Sequence, residues 1–298
     1  RKTINLKVRI LVGAPWILDG KIYNAFISIY RGTIKIVGKK SHLPNYDVFD
    51  EKRFFVSGDE LEVLDLGTLK IGFPICEDAW HPDIIARLKK MGAELIIIPN
   101  GSPYETSKLA ERQAIIKNRC KESNLPIIYL NLVGGQDDLV FDGGSFVYDN
   151  KGTIVWQFPQ FVEKNWQVIL ERRKNSWVPL PHSLAEIGSR QSQDYKAVVL
   201  GLKDYVLKSN FQKVVIGLSG GIDSALVAVM ALDALGPENV VCLALPSKFN
   251  SKASLDDARN LSKNLGINFE IISIQEIIDK VDQHLATLFQ GKERDVTE

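Results

Sequence analysis

Lys213-Val-Val-Ile-Gly-Leu-Ser-Gly-Gly-Ile-Asp-Ser-Ala225 decides how the second half of the chain folds. Val214, Val215, Ile216 and Leu218 form a short apolar run rich in β-branched residues, as in a buried parallel strand. Ser219-Gly220-Gly221 lets the backbone turn sharply and keeps its N–H groups clear of bulky neighbours. From Ser224 the spacing becomes helical, with Ala225, Leu226, Ala228, Val229, Met230, Leu232 and Leu235 apolar and Gly236 as the stop. A strand, a glycine turn bearing hydroxyls and a helix N-terminus together make a site for phosphate. Asp223 stands out, because a carboxylate among phosphates repels them unless a cation lies between, so Mg²⁺ is implied.

No Gly-Lys-Ser/Thr follows the glycines, and the Gly-x-Gly-x-x-Gly dinucleotide pattern is absent. Ser219-Gly-Gly-Ile-Asp-Ser224 instead resembles the PP-loop of ATP pyrophosphatases, which split ATP to AMP and pyrophosphate to activate a carbonyl. Downstream come a strand over Val240–Leu245, a helix over Ser254–Leu265 closed by Gly266, a strand over Phe269–Ile272 and an amphipathic helix over about Gln275–Phe289. A helix from about Ser192 to Lys208 leads into the glycine-loop strand. The alternation is that of a doubly wound parallel sheet, with ligands expected at the C-terminal ends of its strands.

A chain of 298 residues exceeds a typical single domain, so two are expected. With 45% hydrophobic and 24% charged residues and a formal net charge of +1, nothing favours a nucleic-acid surface. No apolar run reaches the roughly 18 residues of a membrane helix, and no signal-peptide pattern opens the chain. Cys76, Cys120 and Cys242 are too few and too scattered for a disulfide framework, which fits a reducing cytoplasm. The four histidines are dispersed without ligand spacing, which argues against zinc. The chain opens on a strand-like run and ends mid-pattern, and is expected to be an internal fragment.

The first half is rich in strands: Lys7–Val12, Phe26–Tyr30, Thr33–Val37, Leu61–Asp65, Leu69–Ile75, Leu95–Pro99, Ile127–Leu132, Ser145–Tyr148, Thr153–Gln157 and Gln167–Leu170. Turn signals such as Leu18-Asp-Gly-Lys21 separate them, and helical spacing appears near Pro82–Met91 and Lys108–Ser123. Such a mixture points to a layered α/β or α+β sandwich. Between Glu171 and Gln191 periodicity lapses among charges and prolines. The expected division is therefore 1–175, a linker at 176–190, and 191–298.

Cys76 ends an apolar strand, and Glu77 and Asp78 follow before the chain turns into a helix. A nucleophile at such a corner is exposed and close to backbone donors able to hold an oxyanion. Cys120 and Cys242 read as small buried hydrophobes. Four segments, Gly38–Glu51, Ile75-Cys-Glu-Asp-Ala-Trp80, Pro99-Asn-Gly-Ser-Pro103 and Val133–Ser145, resemble the nitrilase-type glutaminase domain of the glutamine-dependent NAD⁺ synthetase family. Gly236-Pro-Glu-Asn-Val240, Leu245–Ser251, Ser254–Ala258 and Arg294–Glu298 are similar to that family's synthetase half. The likeness covers nearly the whole chain and preserves the order of motifs. It implies a nitrilase-like α-β-β-α sandwich followed by an adenine nucleotide α-hydrolase, or PP-loop, domain.

The resemblance implies a Glu-Lys-Cys triad, with Cys76 as the nucleophile that forms a glutamyl thioester and Lys40 as the lysine (Lys39 is the register alternative). Independently, a nearby ammonium lowers a thiol pKa and stabilises a tetrahedral intermediate. The family's general-base glutamate falls upstream of Arg1, so this fragment is expected to be a weak glutaminase. Glu51 matches a second, supporting glutamate. Tyr46, Glu77 and Ser102 match positions around bound glutamine. Leu132 departs from the family, in which a more polar residue precedes Val-Gly-Gly. In the synthetase half, Ser219, Gly220, Gly221, Asp223 and Ser224 match the cradle for ATP phosphates, with Asp223 on Mg²⁺, and Leu245 and Pro246 flank the adenine. The implied substrates are glutamine, ATP and deamido-NAD⁺, acted on by a homo-oligomer.

Overall fold

The computed structural model describes residue 4, residues 7–174 and residues 176–291. The chain divides into two compact units, Arg1–Gly134 with Leu139–Ala197 and Gly135–Asp138 with Val198–Glu298.

The first unit begins with an antiparallel sheet of β1 (Ile10–Leu18), β2 (Lys21–Tyr30) and β3 (Thr33–Lys39), in that order. Asp19 and Gly20 join the first two strands with φ of 50° and 73°, the positive values that a tight two-residue hairpin turn requires. A bulge follows near the end of β3. Phe26 pairs with Gly38 and Ile27 with Ile36, which leaves Val37 as the extra residue and re-aims the strand just before Lys40.

A second, six-stranded sheet holds β4 (Val63–Asp65), β5 (Lys70–Gly72), β6 (Leu95–Asn100) and β7 (Ile127–Asn131). β8 (Val133–Gln136) and β9 (Leu139–Asp142) form a separate hairpin, and β10 (Phe146–Tyr148) and β11 (Ile154–Gln157) complete the sheet. Its order is β11-β10-β7-β6-β5-β4, with β5, β6 and β7 parallel.

Alternation along β6 builds the layers. Leu95 and Ile97 face a core shared with Phe26 and Val37 of the three-stranded sheet. Ile96 and Ile98 face Ile84 and Leu88 of α1 (Pro82–Lys90) and Ile116 and Cys120 of α2 (Lys108–Ser123). Buried on both faces, β6 reads as a continuous apolar run, as parallel strands do. The result is a helix layer on a sheet on a sheet, a mixed α/β sandwich. β12 (Leu170–Arg173) and β13 (Ser176–Pro179) add a short hairpin.

α3 (Arg190–Lys208) contributes its first turns to the first unit and the rest to the second. The second unit continues with β14 (Val214–Gly217), α4 (Ile222–Leu235), β15 (Val240–Ala244), α5 (Lys252–Leu265), β16 (Asn268–Ile271) and α6 (Gln275–Leu285). The three strands are parallel in the order β14-β15-β16, and their core gathers Leu218, Ala228, Ala231, Val240, Cys242 and Ala258. Small residues on α4 let the helix sit close to the sheet.

The structure departs from the sequence reading at several places. β1 runs from Ile10 to Leu18 rather than over Lys7–Val12, through Gly13 and Pro15. Proline interrupts a strand only where its missing N–H would serve a partner, and β1 is an edge. Asp137 and Asp138 turn the β8–β9 hairpin inside Val133–Ser145, and residues 170–173 pair with residues 176–179 where no periodicity is visible. Residues 294–298, part of the resemblance, lie outside the described residues. Among the described residues no helix is long and apolar enough to cross a membrane.

Candidate active site

The parallel strands of the first unit converge on one corner. β5 leads to Cys76, which opens a short 3₁₀ turn (Cys76–Ala79), and β6 leads to Asn100-Gly101-Ser102. Cys76 has φ of +48°, a left-handed backbone that costs a non-glycine residue about 1–3 kcal/mol and persists only where its surroundings enforce it. Cys76 and Gly101 line a cavity of about 400 Å³ together with Lys40, Glu51, Asn24 and Leu132. Lys40 is 2% exposed, and its Nζ lies 2.6 Å from Glu51 Oε1. Asn24 Nδ2 donates to the other oxygen of Glu51 at 3.5 Å.

Burial pushes the Cys76 thiol above its ordinary value; the Lys40 ammonium draws it back, Glu77 and Glu51 push it further up, and the N–H of Gly101 favours the thiolate. Lys39 faces elsewhere. Its Nζ pairs with Glu60 Oε2 at 3.3 Å and lies 5.2 Å from the centre of the Tyr23 ring. Of the two register alternatives, Lys40 is the one in the cysteine cavity.

The expected glutamine-binding residues divide. Tyr46 and Glu77 are brought together, the phenol donating to Glu77 Oε2 at 2.9 Å, with His81 Nε2 3.7 Å from Oε1. Partial burial and the Glu77 carboxylate raise the Tyr46 phenol above its ordinary value. Ser102 is buried behind the loop, where its Oγ accepts from Arg112 Nε at 3.0 Å. Arg112 Nη2 also donates to the carbonyls of Ser102 and Pro103 at 2.9 and 2.7 Å, and Nη1 donates to Asp142 Oδ1 at 2.8 Å. Asn131 accepts the Ser102 N–H at 3.0 Å and returns a bond to its carbonyl at 3.0 Å. This buried network fixes the loop that carries Gly101.

Sequence reasoning assigns no role to Arg112, Asp142, Asn131 or Asp78. A signal for Arg112 exists, because it shares with Leu109, Ile116 and Cys120 the buried stripe of α2, where a lone cation demands partners.

In the second unit the glycine loop closes on itself. Ser219 Oγ accepts the Gly221 N–H at 3.2 Å, Ser224 Oγ accepts the Ser219 N–H at 3.2 Å, and Ser224 Oγ donates to the Gly221 carbonyl at 3.0 Å. Gly220 has φ of +84°, and a Cβ there would collide with the carbonyl of Ser254. Gly221 is the N-cap of α4, and Asp223 stands exposed in its first turn. Ser219, Leu245 and Pro246 line a cavity of about 240 Å³ at the C-terminal ends of β14 and β15. Among the described residues no cluster of three or more His, Cys, Asp or Glu side chains is arranged to hold a metal ion. A cation bridged by phosphates needs only one or two protein carboxylates, and Asp223 fits that smaller demand.

A thiol at a strained corner, beside a buried lysine–carboxylate pair and an amide N–H, is equipped to attack a carbonyl and hold the resulting oxyanion. The carbon–nitrogen hydrolase family model matches residues 7–177, which contain this whole corner. The chain belongs to the carbon–nitrogen hydrolase family. Residues 194–296 match a second family model, NAD synthase. The glutamine-dependent NAD(+) synthetase of Rhodobacter capsulatus is 46% identical over 287 residues, covering 96% of this chain and 52% of that protein. The one from Thermotoga maritima is 39% identical over 328 residues, covering 99% of this chain and 57% of that protein. Among solved structures, the glutamine-dependent NAD⁺ synthetase of Acinetobacter baumannii, in complex with ADP, aligns with a TM-score of 0.92 at 33% identity. That alignment covers 99% of this chain and 56% of the other. The chain is a relative of these synthetases along nearly its whole length, and it spans about half the length of the curated relatives it matches.

Proposed function

We propose that this chain carries the glutamine-hydrolysing and ATP-binding parts of a glutamine-dependent NAD⁺ synthetase, a carbon–nitrogen ligase. Residues 1–175 serve as the glutaminase domain, 176–190 as a linker and 191–298 as the PP-loop domain; the extents of the two matched family models support the division. The observation that carries the reading is the presence, on one chain, of a cysteine–lysine–carboxylate corner and a glycine cradle at a helix N-terminus.

In the first site the Cys76 sulfur attacks the side-chain carbonyl of glutamine, releasing ammonia and leaving a glutamyl thioester that water cleaves to glutamate. Lys40 stabilises the thiolate and the oxyanion, the Gly101 N–H supports the same charge, and Glu51 holds the lysine in place. Tyr46 and Glu77 belong to the glutamine pocket, where the partly exposed pair suits the ammonium group of glutamine, and Ser102 shapes that pocket from behind through the loop that carries Gly101. In the second site Ser219, Gly220, Gly221 and Ser224 cradle the phosphates of ATP, Leu245 flanks the adenine and Asp223 holds Mg²⁺. Mg²⁺ supplies charge neutralisation of the phosphates when bound. The nicotinate carboxylate of deamido-NAD⁺ takes up AMP with loss of pyrophosphate, and ammonia displaces AMP to give the amide. The three free thiols suit a reducing cytoplasm, and a homo-oligomeric assembly is part of the same proposal.

Pyrophosphate release tests the reading. The protein, produced from its complete gene, is expected to release pyrophosphate only when ATP and deamido-NAD⁺ are both present. Release with ATP and an unrelated carboxylate, but not with deamido-NAD⁺, would assign the cradle to a different adenylation.

A further inference from the structure

Asp78 lies two residues beyond the Cys76 sulfur, is 1% exposed and has no part in the chemistry assigned above. Its carboxylate divides between two segments. Oδ1 accepts the backbone N–H groups of Ser41 and His42 at 3.0 and 2.8 Å, and Oδ2 accepts the N–H of Ile75 at 3.0 Å. Ser41 and His42 directly follow Lys40, and Ile75 directly precedes Cys76. Those segments end strands of different sheets, which share no backbone ladder, so side chains must set their spacing.

We propose that Asp78 is a positioning residue whose buried carboxylate, bonded to both segments at once, fixes the Lys40 ammonium relative to the Cys76 thiol. The proposal rests on the reading of Cys76 and Lys40 as a working pair. Three amide donors converge on two oxygens, an arrangement that suits the ionised carboxylate, which has acceptors on both oxygens and no proton of its own to place. An amide in its place turns one acceptor into a donor aimed at another N–H. Burial raises the Asp78 carboxyl above its ordinary range, and the amide bonds with His42, Ile75 and Ser41 and the Lys40 charge draw it back. The same clamp helps to enforce the left-handed backbone of Cys76.

The test reads the thiol itself. Alkylation of Cys76 by iodoacetamide is followed against pH by peptide mass spectrometry, with buried Cys120 and Cys242 as unreactive references. Wild type is compared with Lys40→Met, Asp78→Asn and the double variant. Thiolate is the reacting species, so loss of the ammonium raises the pH midpoint. Asp78→Asn is expected to raise it as well, and the rate at neutral pH then falls about tenfold for every pH unit by which the midpoint climbs. The double variant is expected to match Lys40→Met alone, because Asp78 acts through the lysine. An Asp78→Asn profile that superimposes on wild type while Lys40→Met shifts overturns the proposal. An unmoved Lys40→Met profile instead overturns the lysine–cysteine pairing beneath it. Should Asp78→Asn fail to fold by tryptophan fluorescence, Asp78→Glu is read on the same scale. That variant keeps the charge on a longer arm: a higher midpoint supports the proposal and a wild-type profile overturns it.

Discussion

Replacing Arg112 by methionine should be among the costliest single changes in the first unit. The guanidinium and the Asp142 carboxylate are each 1% exposed and 2.8 Å apart, so methionine leaves a buried carboxylate without its cation. Among the described residues only neutral donors then remain to Asp142, Gln160 Nε2 at 2.8 Å and Asn131 Nδ2 at 3.5 Å. Removing one member of a buried pair costs about 3–5 kcal/mol. The Ser102 carbonyl keeps its bond from Asn131, but the Pro103 carbonyl loses Arg112 as donor, a further penalty of about 1 kcal/mol or more where water cannot replace it. Against a typical total of about 5–15 kcal/mol the change is large. All five tryptophans (Trp16, Trp80, Trp156, Trp166 and Trp177) lie in the first unit, so urea unfolding followed by their fluorescence isolates it. At about 2–3 kcal/mol per molar urea, the midpoint should fall by about 1–3 M. Arg112→Met with Asp142→Asn should recover most of that loss, because the penalty is the orphaned charge. A midpoint that barely moves in the single variant, or a double variant no better than the single, means the ion pair does not hold this loop.

Other expectations concern both units. Gly220→Ala forces a Cβ against the Ser254 carbonyl at a positive φ, so ATP binding by calorimetry should weaken at least tenfold while tryptophan-detected unfolding of the first unit stays unchanged. Asp223→Asn should abolish the gain in ATP affinity that Mg²⁺ gives the wild type, measured by titrations with and without the cation. The Tyr104 phenol, which donates to Asp194 Oδ1 at 2.7 Å, is pushed up to about 12 by burial and by that carboxylate. Its folded-state value is raised, so the associated stability is complete below the free phenol value of about 10 and is lost as pH climbs from there to about 12. Tyr46, Tyr129 and Tyr148 are also raised, so an ultraviolet titration should show several late tyrosines, and Asp194→Asn should move one of them part of the way down.

The glycine loop was legible because its signals are local: a β-branched run, a turn that only glycine permits and a helix begin within thirteen consecutive residues, Lys213–Ala225. Cys76 was legible for the same reason, at the end of one strand. What escaped depends on distant pairing. Pro15 argues against a strand until β1 is known to be an edge, and the charged residues of β12 show no pattern until β13 folds back on them. The choice between Lys39 and Lys40 turns on one bulge in β3, which no periodicity records. Asp78, beside Glu77, has the sequence surroundings of a solvated turn residue. Its role emerges only when the residues after Lys40 arrive from the other sheet.

Cys76 is expected to supply nitrogen to a second reaction on the same protein. The direct measurement is NAD⁺ formation from ATP and deamido-NAD⁺ by the protein produced from its complete gene, wild type against Cys76→Ala, with glutamine or ammonium as nitrogen source. Wild type should use both sources, and Cys76→Ala should lose the glutamine reaction while keeping the ammonium one. Glutamine-driven synthesis that survives in Cys76→Ala, or a wild type that makes no NAD⁺ from either source, would contradict it.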